Sequence, residues 1–339
     1  MKLKNYITTF LLFSMLFVLG SCVKDFDNQL QPAIPQRSLL TFLENNYSFS
    51  IFYQAVKRLG LDKTLDGNDA YTLLVPDNDA FALAGITTES VAALDTASLR
   101  KIIGYHIIKG ALPYNKIPQT VDYKFTTLTA QPVYFSVTLP DPNRTNRTQL
   151  LHVNGITAKK TDVLASNGVI HVLGNVLISP AASVKSILND NPDYSLFVQA
   201  LKQFGLFDQL DKAGPFVVLA PSNEVFMQNG IDESTLATLD TLTYKKFLFA
   251  PYVMPRNFFF KSDLDDAPLI GTGPHGVRGA DYLLYIDYYA FNFQLMPDKV
   301  DPLYFPNTVQ FSSPDHLAFN GLVHGVSGLL ITPDYALKP

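Results

Sequence analysis

TLLVPDNDAF occupies residues 72–81, and VVLAPSNEVF occupies residues 217–226. The two stretches stand 145 residues apart, and the offset holds without a gap well beyond them. Upstream, Ser50, Phe52, Gln54, Ala55, Lys57, Gly60 and Leu61 recur as Ser195, Phe197, Gln199, Ala200, Lys202, Gly205 and Leu206. Inside the stretches, Leu74, Pro76, Asn78 and Phe81 recur as Leu219, Pro221, Asn223 and Phe226. Downstream, Leu94-Asp95-Thr96 returns as Leu239-Asp240-Thr241. A second block, NGVIH at 167–171, returns as NGLVH at 320–324, now 153 residues apart. Solenoid repeats run to about 20–50 residues. A period this long is a duplicated domain, each copy having the size of an ordinary globular domain.

Each copy opens with helical patterning. Ser38 is placed to cap a helix starting at Leu39, and Phe49, Phe52, Tyr53, Val56 and Leu59 follow helical spacing up to Gly60. The second copy repeats this from Ser183 to Gly205. A short buried strand over 72–75 then stops at Pro76, and Asp77 caps a new turn. Asp95 and Asp240 also read as helix N-caps. The later half of each copy is rich in β-branched and apolar runs, at 132–139 and 169–178. Helices first and strands after point to an α+β fold rather than alternating βαβ units.

The two blocks resemble those of the fasciclin-like domain: a T-x-x-x-P-x-N-x-A-F segment, then N-G-[VIL]-[IV]-H some 90–100 residues later. The first copy also has a Tyr-His segment between them, Ile102-Ile103-Gly104-Tyr105-His106. In the second copy Ala250-Pro251 align there instead. The resemblance spans about residues 38–334 and implies two tandem domains, 38–181 and 182–339, each a β-wedge or sandwich with helices along one edge. It further implies a non-enzymatic protein of adhesion or extracellular ligand contact. In such domains the Tyr-His segment is linked to adhesion, although its His also packs against the domain's own blocks. Tyr105 and His106 are therefore candidates for binding and for structure alike.

The N-terminus reads as an export signal. Lys2 and Lys4 precede a thirteen-residue apolar stretch, Ile7 to Leu19, short of the ~20 residues a membrane span needs. Leu19-Gly20-Ser21-Cys22 resembles a bacterial lipobox, which makes residues 1–21 a signal peptide and Cys22 a lipidation site. Several acyl chains on one residue give stable membrane anchoring. The alternative is an ordinary signal peptide with an unrelated cysteine. Residues 22–37 read as a polar, proline-containing tether. Its Lys24-Asp25-Phe26-Asp27 run is similar to export signals of surface lipoproteins, the alternative being a solvated linker; the export reading makes the expected location the outer membrane, facing outward. Cys22 is the only cysteine, so no disulfide within the chain is expected.

With a net charge of −4 and no basic run, the chain lacks the electrostatic footprint of a nucleic-acid binder. The six histidines fall in no metal-binding frame, and no nucleophile–base or paired-carboxylate constellation stands out. His171 and His324 read as hydrogen-bonding core residues. Asp263, Asp265 and Asp266 form an acidic run that reads as a solvated turn, lacking the Gly and distal Glu of a calcium loop. The GTGPHG stretch at 271–276 reads as a loop rather than a dinucleotide site, since Pro274 opposes the required helix. No cofactor is expected.

Between 255 and 310 the copies diverge, and YLLYIDYYAFNF crowds aromatics there. Tyr282, Tyr285, Tyr288 and Tyr289 are candidate contact residues on whichever strand face is exposed. Asp95-Thr96-Ala97 and Asp240-Thr241-Leu242 resemble an O-glycosylation acceptor of exported bacterial proteins, making Thr96 and Thr241 candidate sites beside the capping reading. The expected partners are the membrane, through Cys22, and an extracellular protein or glycan. A glycan- or peptide-binding accessory of an outer-membrane uptake system is the rival reading.

Overall fold

A computed structural model describes residues 37–137, 150–255, 258–265, 275–278, 282–287, 292–297 and 308–338. Ser38 caps the helix Leu39–Glu44 by accepting the Thr41 N–H. In the helix Ser50–Arg58, Ile51, Phe52, Ala55 and Val56 point into the core, and Gly60 takes the left-handed φ of +67° that ends it. The second copy repeats this with helices Val184–Asp190 and Ser195–Gln203 and with Gly205 at +68°.

The first domain's sheet contains β1 (Tyr71–Pro76), β2 (Ile107–Lys109), β3 (Tyr123–Thr126), β4 (Pro132–Val137), β5 (Leu151–Val153), β6 (Ile156–Ala165) and β7 (Gly168–Leu173). The second contains β8 (Phe216–Pro221), β9 (Val253–Pro255), β10 (His275–Arg278), β11 (Tyr282–Asp287), β12 (Asn292–Pro297), β13 (Val309–Ala318) and β14 (Gly321–Val326). The spatial orders are β2-β1-β7-β6-β5-β4-β3 and, in the same sense, β9-β8-β14-β13-β12-β11-β10. The duplication therefore extends through the stretch where sequence similarity fails. Leu284, Phe293 and Leu295 alternate into the second core and hold β11 and β12 in register.

At the centre of each sheet the two signature blocks lie side by side. β1 runs parallel to β7 with Leu74 beside His171, and β8 runs parallel to β14 with Leu219 beside His324. The glycine of each NG pair is required sterically. A Cβ on Gly168 would stand 2.0 Å from Tyr71 O, and one on Gly321 would stand 2.1 Å from Phe216 O. The preceding asparagines tie helix to sheet: Asn167 Oδ1 accepts from Leu39 N and Asn320 Oδ1 from Val184 N, at 2.8 and 2.9 Å. Asn78 and Asn223 do the same for the second helix, accepting from Ile51 N and Leu196 N.

Three local expectations need correction. The run 169–178 is strand only to Leu173, after which Gly174 and Asn175 leave the sheet. Asp95 caps a helix, Thr96–Tyr105, whereas Asp240 caps only a turn by accepting from Leu242 N and Thr243 N. Pro251 lacks the amide a helix needs there and disfavours helical geometry at Ala250, so short 3₁₀ turns at Lys246–Leu248 and Ala250–Tyr252 replace the helix. Of the GTGPHG stretch, 271–274 lie outside the described residues, while His275 and Gly276 begin β10 rather than a loop.

Candidate functional site: the seam between the domains

A histidine brace occurs in both copies. In the first, His171 Nε2 donates to Leu112 O at 2.9 Å, Asp162 N donates to His171 Nδ1, and Tyr114 N donates to Asp162 Oδ1. In the second, His324 Nε2 donates to Phe259 O at 3.1 Å, Asp315 N donates to His324 Nδ1 at 3.0 Å, and Lys261 N donates to Asp315 Oδ1 at 2.8 Å. Both rings are buried and neutral, desolvation pushing their pKa values below the ordinary imidazole range. The second brace fixes residues 258–263, and that segment meets the first domain.

Among the described residues, the seam includes the following contacts. The ring of Tyr134 on β4 lies 4.5 Å from that of Phe258 and 6.2 Å from that of Phe260. The hairpin turn Asn154-Gly155 joining β5 and β6 has positive φ at both residues and drives into the second domain. A Cβ on Gly155 would come within 3.0 Å of Asp315 Oδ2 and 3.1 Å of Phe260 Cδ1. Asp122, ahead of β3, faces Asp263 across the boundary.

A cleft opens on each side. One, of about 650 Å³, is lined by 154–157, 175–178, Ile187 and 315–317. The other, of about 690 Å³, is lined by Asp122, Lys124, Tyr134, Asp211, Lys212, Pro215, Phe258 and Phe319. Phe319 is 62% exposed, and Lys124 and Lys212 are also exposed. This cleft combines ring surfaces with two lysines and two aspartates, a surface suited to a ligand with an apolar face and polar or charged groups. Among the described residues no group of three or more His, Cys, Asp or Glu could hold a metal ion. No helix among them is long and apolar enough to cross a membrane.

The candidates from sequence are dispersed. Tyr105 and His106 are fully buried. Tyr105 Oη donates to Pro132 O at 2.8 Å and accepts from Asn154 Nδ2 at 2.9 Å. His106 Nδ1 faces Ile102 O, and Nε2 accepts from Leu177 N. These bonds use the Tyr-His pair for the fold and correct the binding alternative, because neither ring reaches solvent. Tyr282 and Tyr285 fall on β11, opposite Pro297 and Gln294. Tyr288, Tyr289 and Cys22 lie outside the described residues. Thr96 is exposed at the start of its helix, and Thr241 is half-buried in its turn.

Asp263 corrects the reading of a solvated acidic run: it is only 1% exposed, with Oδ2 accepting from Phe260 N at 2.6 Å. Sequence reasoning also passed over Tyr134, Phe258, Phe260 and Asp122. The one signal near them in the sequence is the Asn154-Gly155 pair, a dipeptide that favours a hairpin turn and says nothing of what the turn meets.

The Fasciclin domain family matches residues 47–179 and 192–332. The transforming growth factor-beta-induced protein ig-h3 of Sus scrofa is 32% identical over 186 residues, covering 54% of this chain and 26% of that protein. Stabilin-1 of Homo sapiens is 28% identical over 201 residues, covering 56% of this chain and 7% of its own. This chain thus spans a small part of these two relatives. Protein sll1483 of Synechocystis sp. is 32% identical over 148 residues, 42% of this chain and 76% of its own. A solved FAS1 domain pair from the insect cell adhesion molecule Fasciclin I aligns over 86% of this chain and 99% of its own, at 19% identity and a TM-score of 0.40.

Proposed function

Because this chain belongs to the fasciclin-domain family, with two copies of the domain in tandem, we propose that it is a non-enzymatic, lipid-anchored surface protein that mediates adhesion or extracellular ligand contact. The observation that carries the contact assignment is the second seam cleft, where exposed Phe319 stands with Lys124 and Lys212 at the junction of two domains. The signature blocks and the Tyr-His pair are spent on the fold, so recognition falls to what the fold leaves on its surface. The full chain is assayed on arrays of extracellular matrix proteins and of glycans. Binding to one class, weakened by Phe319→Ala and by Lys212→Ala and falling with added salt, supports the reading. Binding that ignores both substitutions removes the cleft, and binding to neither class removes adhesion.

A second reading, an accessory of an outer-membrane uptake system, is favoured by the size of the cleft, which lies in the range of small-ligand sites. Preference for free oligosaccharides or peptides over immobilised proteins selects it. The strand bearing Tyr282 and Tyr285, with Tyr288 and Tyr289 beyond it, is the alternative contact surface. Alanine substitutions there that abolish binding, with Phe319→Ala silent, select it.

The anchor and the location belong to the same proposal. The lipobox-like Leu19–Cys22 supports lipidation, and the charged run after Cys22 supports placement on the outer membrane, facing outward. Cys22→Ala is expected to release the protein from the membrane fraction or leave the precursor uncleaved. A Cys22→Ala protein that still fractionates as a mature membrane lipoprotein defeats the assignment.

A further inference from the structure

Asp122 and Asp263 belong to different domains, and their carboxyls lie within hydrogen-bonding reach of each other. Asp122 is held at a φ of +54°, with its own N–H donating to Ser136 Oγ at 2.9 Å. That geometry aims its side chain across the seam. Both Asp122 oxygens and Asp263 Oδ1 are buried, and among the described residues no N–H or O–H bonds to them. Buried oxygens of this kind destabilise the fold when left unsatisfied. Two carboxylates this close and shut off from water cannot both be ionised.

We propose that one proton, carried by Asp122 and shared with the Asp263 carboxylate, latches the two domains together, and that its removal loosens the seam and widens both clefts. Burial raises both carboxyls, but Asp122 acts as the donor because Asp263 has the better anion site. Asp263 Oδ2 takes the Phe260 amide, and Ser136 and His152 offset part of the burial by favouring its ionised form. Deprotonation breaks the Asp122 O–H bond, passes the proton to hydroxide, and leaves two anions face to face. The other groups around the pair are Asp315, whose charge bears on Asp122, and Tyr134, whose phenol is pushed up by burial and then by Asp122. Lys124, Asp211 and Lys212 line the cleft beside them, and Lys261 shares the helix of Asp263.

Burial first, and then the Asp263 charge, raises the Asp122 carboxyl far above the usual carboxylate range. A raised carboxyl pKa makes the latch complete below the ordinary carboxylate range. The latch persists at neutral pH and is lost as pH rises through the raised value. The proposal is independent of which ligand, if any, the clefts take.

The test uses the full chain. Infrared difference spectra should show one carboxyl C=O band of a protonated acid persisting at pH 7, absent in Asp122→Asn. Amide exchange at Gly155 and Phe260, corrected for intrinsic base catalysis, should accelerate roughly tenfold or more between pH 6 and pH 10, one pKa unit being worth a factor of ten. Asp122→Asn should hold the slow rate across that range, since an amide donates to Asp263 at any pH and Asn tolerates the left-handed conformation. Absence of the protonated band overturns the latch, as does an unchanged pH response in Asp122→Asn. Acceleration by chelator at pH 7, reversed by calcium, also overturns it by placing a cation where the proton is assigned.

Discussion

Tyr252 stands where His106 stands in the other copy. Tyr252 Oη accepts the Leu330 amide at 2.7 Å, and His106 Nε2 accepts the Leu177 amide at 2.9 Å. Leu330 follows Leu177 by 153 residues, the offset of the NG blocks. Each ring lies edge-on to an equivalent phenylalanine, Phe197 at 5.6 Å and Phe52 at 6.1 Å. The second copy therefore keeps the role and changes the chemistry, from an imidazole lone pair to a phenol oxygen.

Tyr252→Phe should isolate that role. It keeps the ring against Phe197 and strips the acceptor from the buried Leu330 N–H. The expected cost is about 1–3 kcal/mol of second-domain stability, the penalty of an orphaned buried donor. Urea unfolding of the full chain reads it as a lower midpoint at unchanged slope. An unchanged midpoint would mean that the amide finds another partner.

Acid should act through buried histidines in both copies. Burial pushes the His106 imidazole down to about 4 and that of His324 down to about 3. Their one free lone pair already takes a backbone N–H, so a second proton on either ring must expel that donor. An unfolded imidazole titrates near 6.5. Below pH 6.5 the unfolded chain therefore takes up protons first, and stability falls until the folded values are reached. Unfolding free energy should drop by about 2 kcal/mol or more between pH 7 and pH 4.5. The substitutions His106→Gln and His324→Gln together should flatten that slope. Equal slopes in variant and wild type would assign acid sensitivity elsewhere. The carboxyl latch runs in the opposite sense, so combining both with Asp122→Asn separates the two effects.

Local chemistry was legible in the sequence wherever a residue acts on its neighbours. Ser38 and Asp77 were read as caps and act as caps. The two duplicated blocks carried the family resemblance, and the order of helices before strands carried the α+β class. What escaped depends on distant residues or on shape. The parallel pairing of β1 with β7 joins segments nearly a hundred residues apart. The place of Tyr252 was hidden because it follows His106 by 146 residues rather than 145, which set Pro251 against the histidine. Asp263 looked solvated because its charge suggested water, whereas the brace from His324 and Asp315 turns its segment under the first domain. The seam itself required knowing which faces two folded domains present to each other.

Gly321→Ala should be far more damaging than Gly60→Ala. The first puts a Cβ 2.1 Å from Phe216 O, between the two central strands, and neither strand can retreat without losing the parallel pairing. The expected loss is more than about 4 kcal/mol, or no folded second domain. Gly60 has open space for a Cβ and pays only for its φ of +67°, about 1–2 kcal/mol. Thermal unfolding with hydrogen exchange mapped to each domain compares them. Similar losses would show that backbone approach is not what the NG block requires.

The Asp-Thr pairs separate a capping role from a modification role. Asp95 Oδ1 accepts from both Ala97 N and Ser98 N, so the cap rests on the aspartate while the neighbouring Thr96 is exposed. Asp95→Ala should cost about 1 kcal/mol through the lost cap. Thr96→Ala should leave the fold unchanged. If Thr96 carries a glycan, as its acceptor-like context suggests, native protein stripped of lipid should weigh more than its sequence, and Thr96→Ala should remove the excess. Thr241 is half-buried, and its carbonyl accepts from Lys338 Nζ, so it is expected to carry less glycan than Thr96. Intact mass measured on wild type and both threonine variants decides the matter. An unmodified mass for the wild type would leave Asp95 and Asp240 with capping as their whole role.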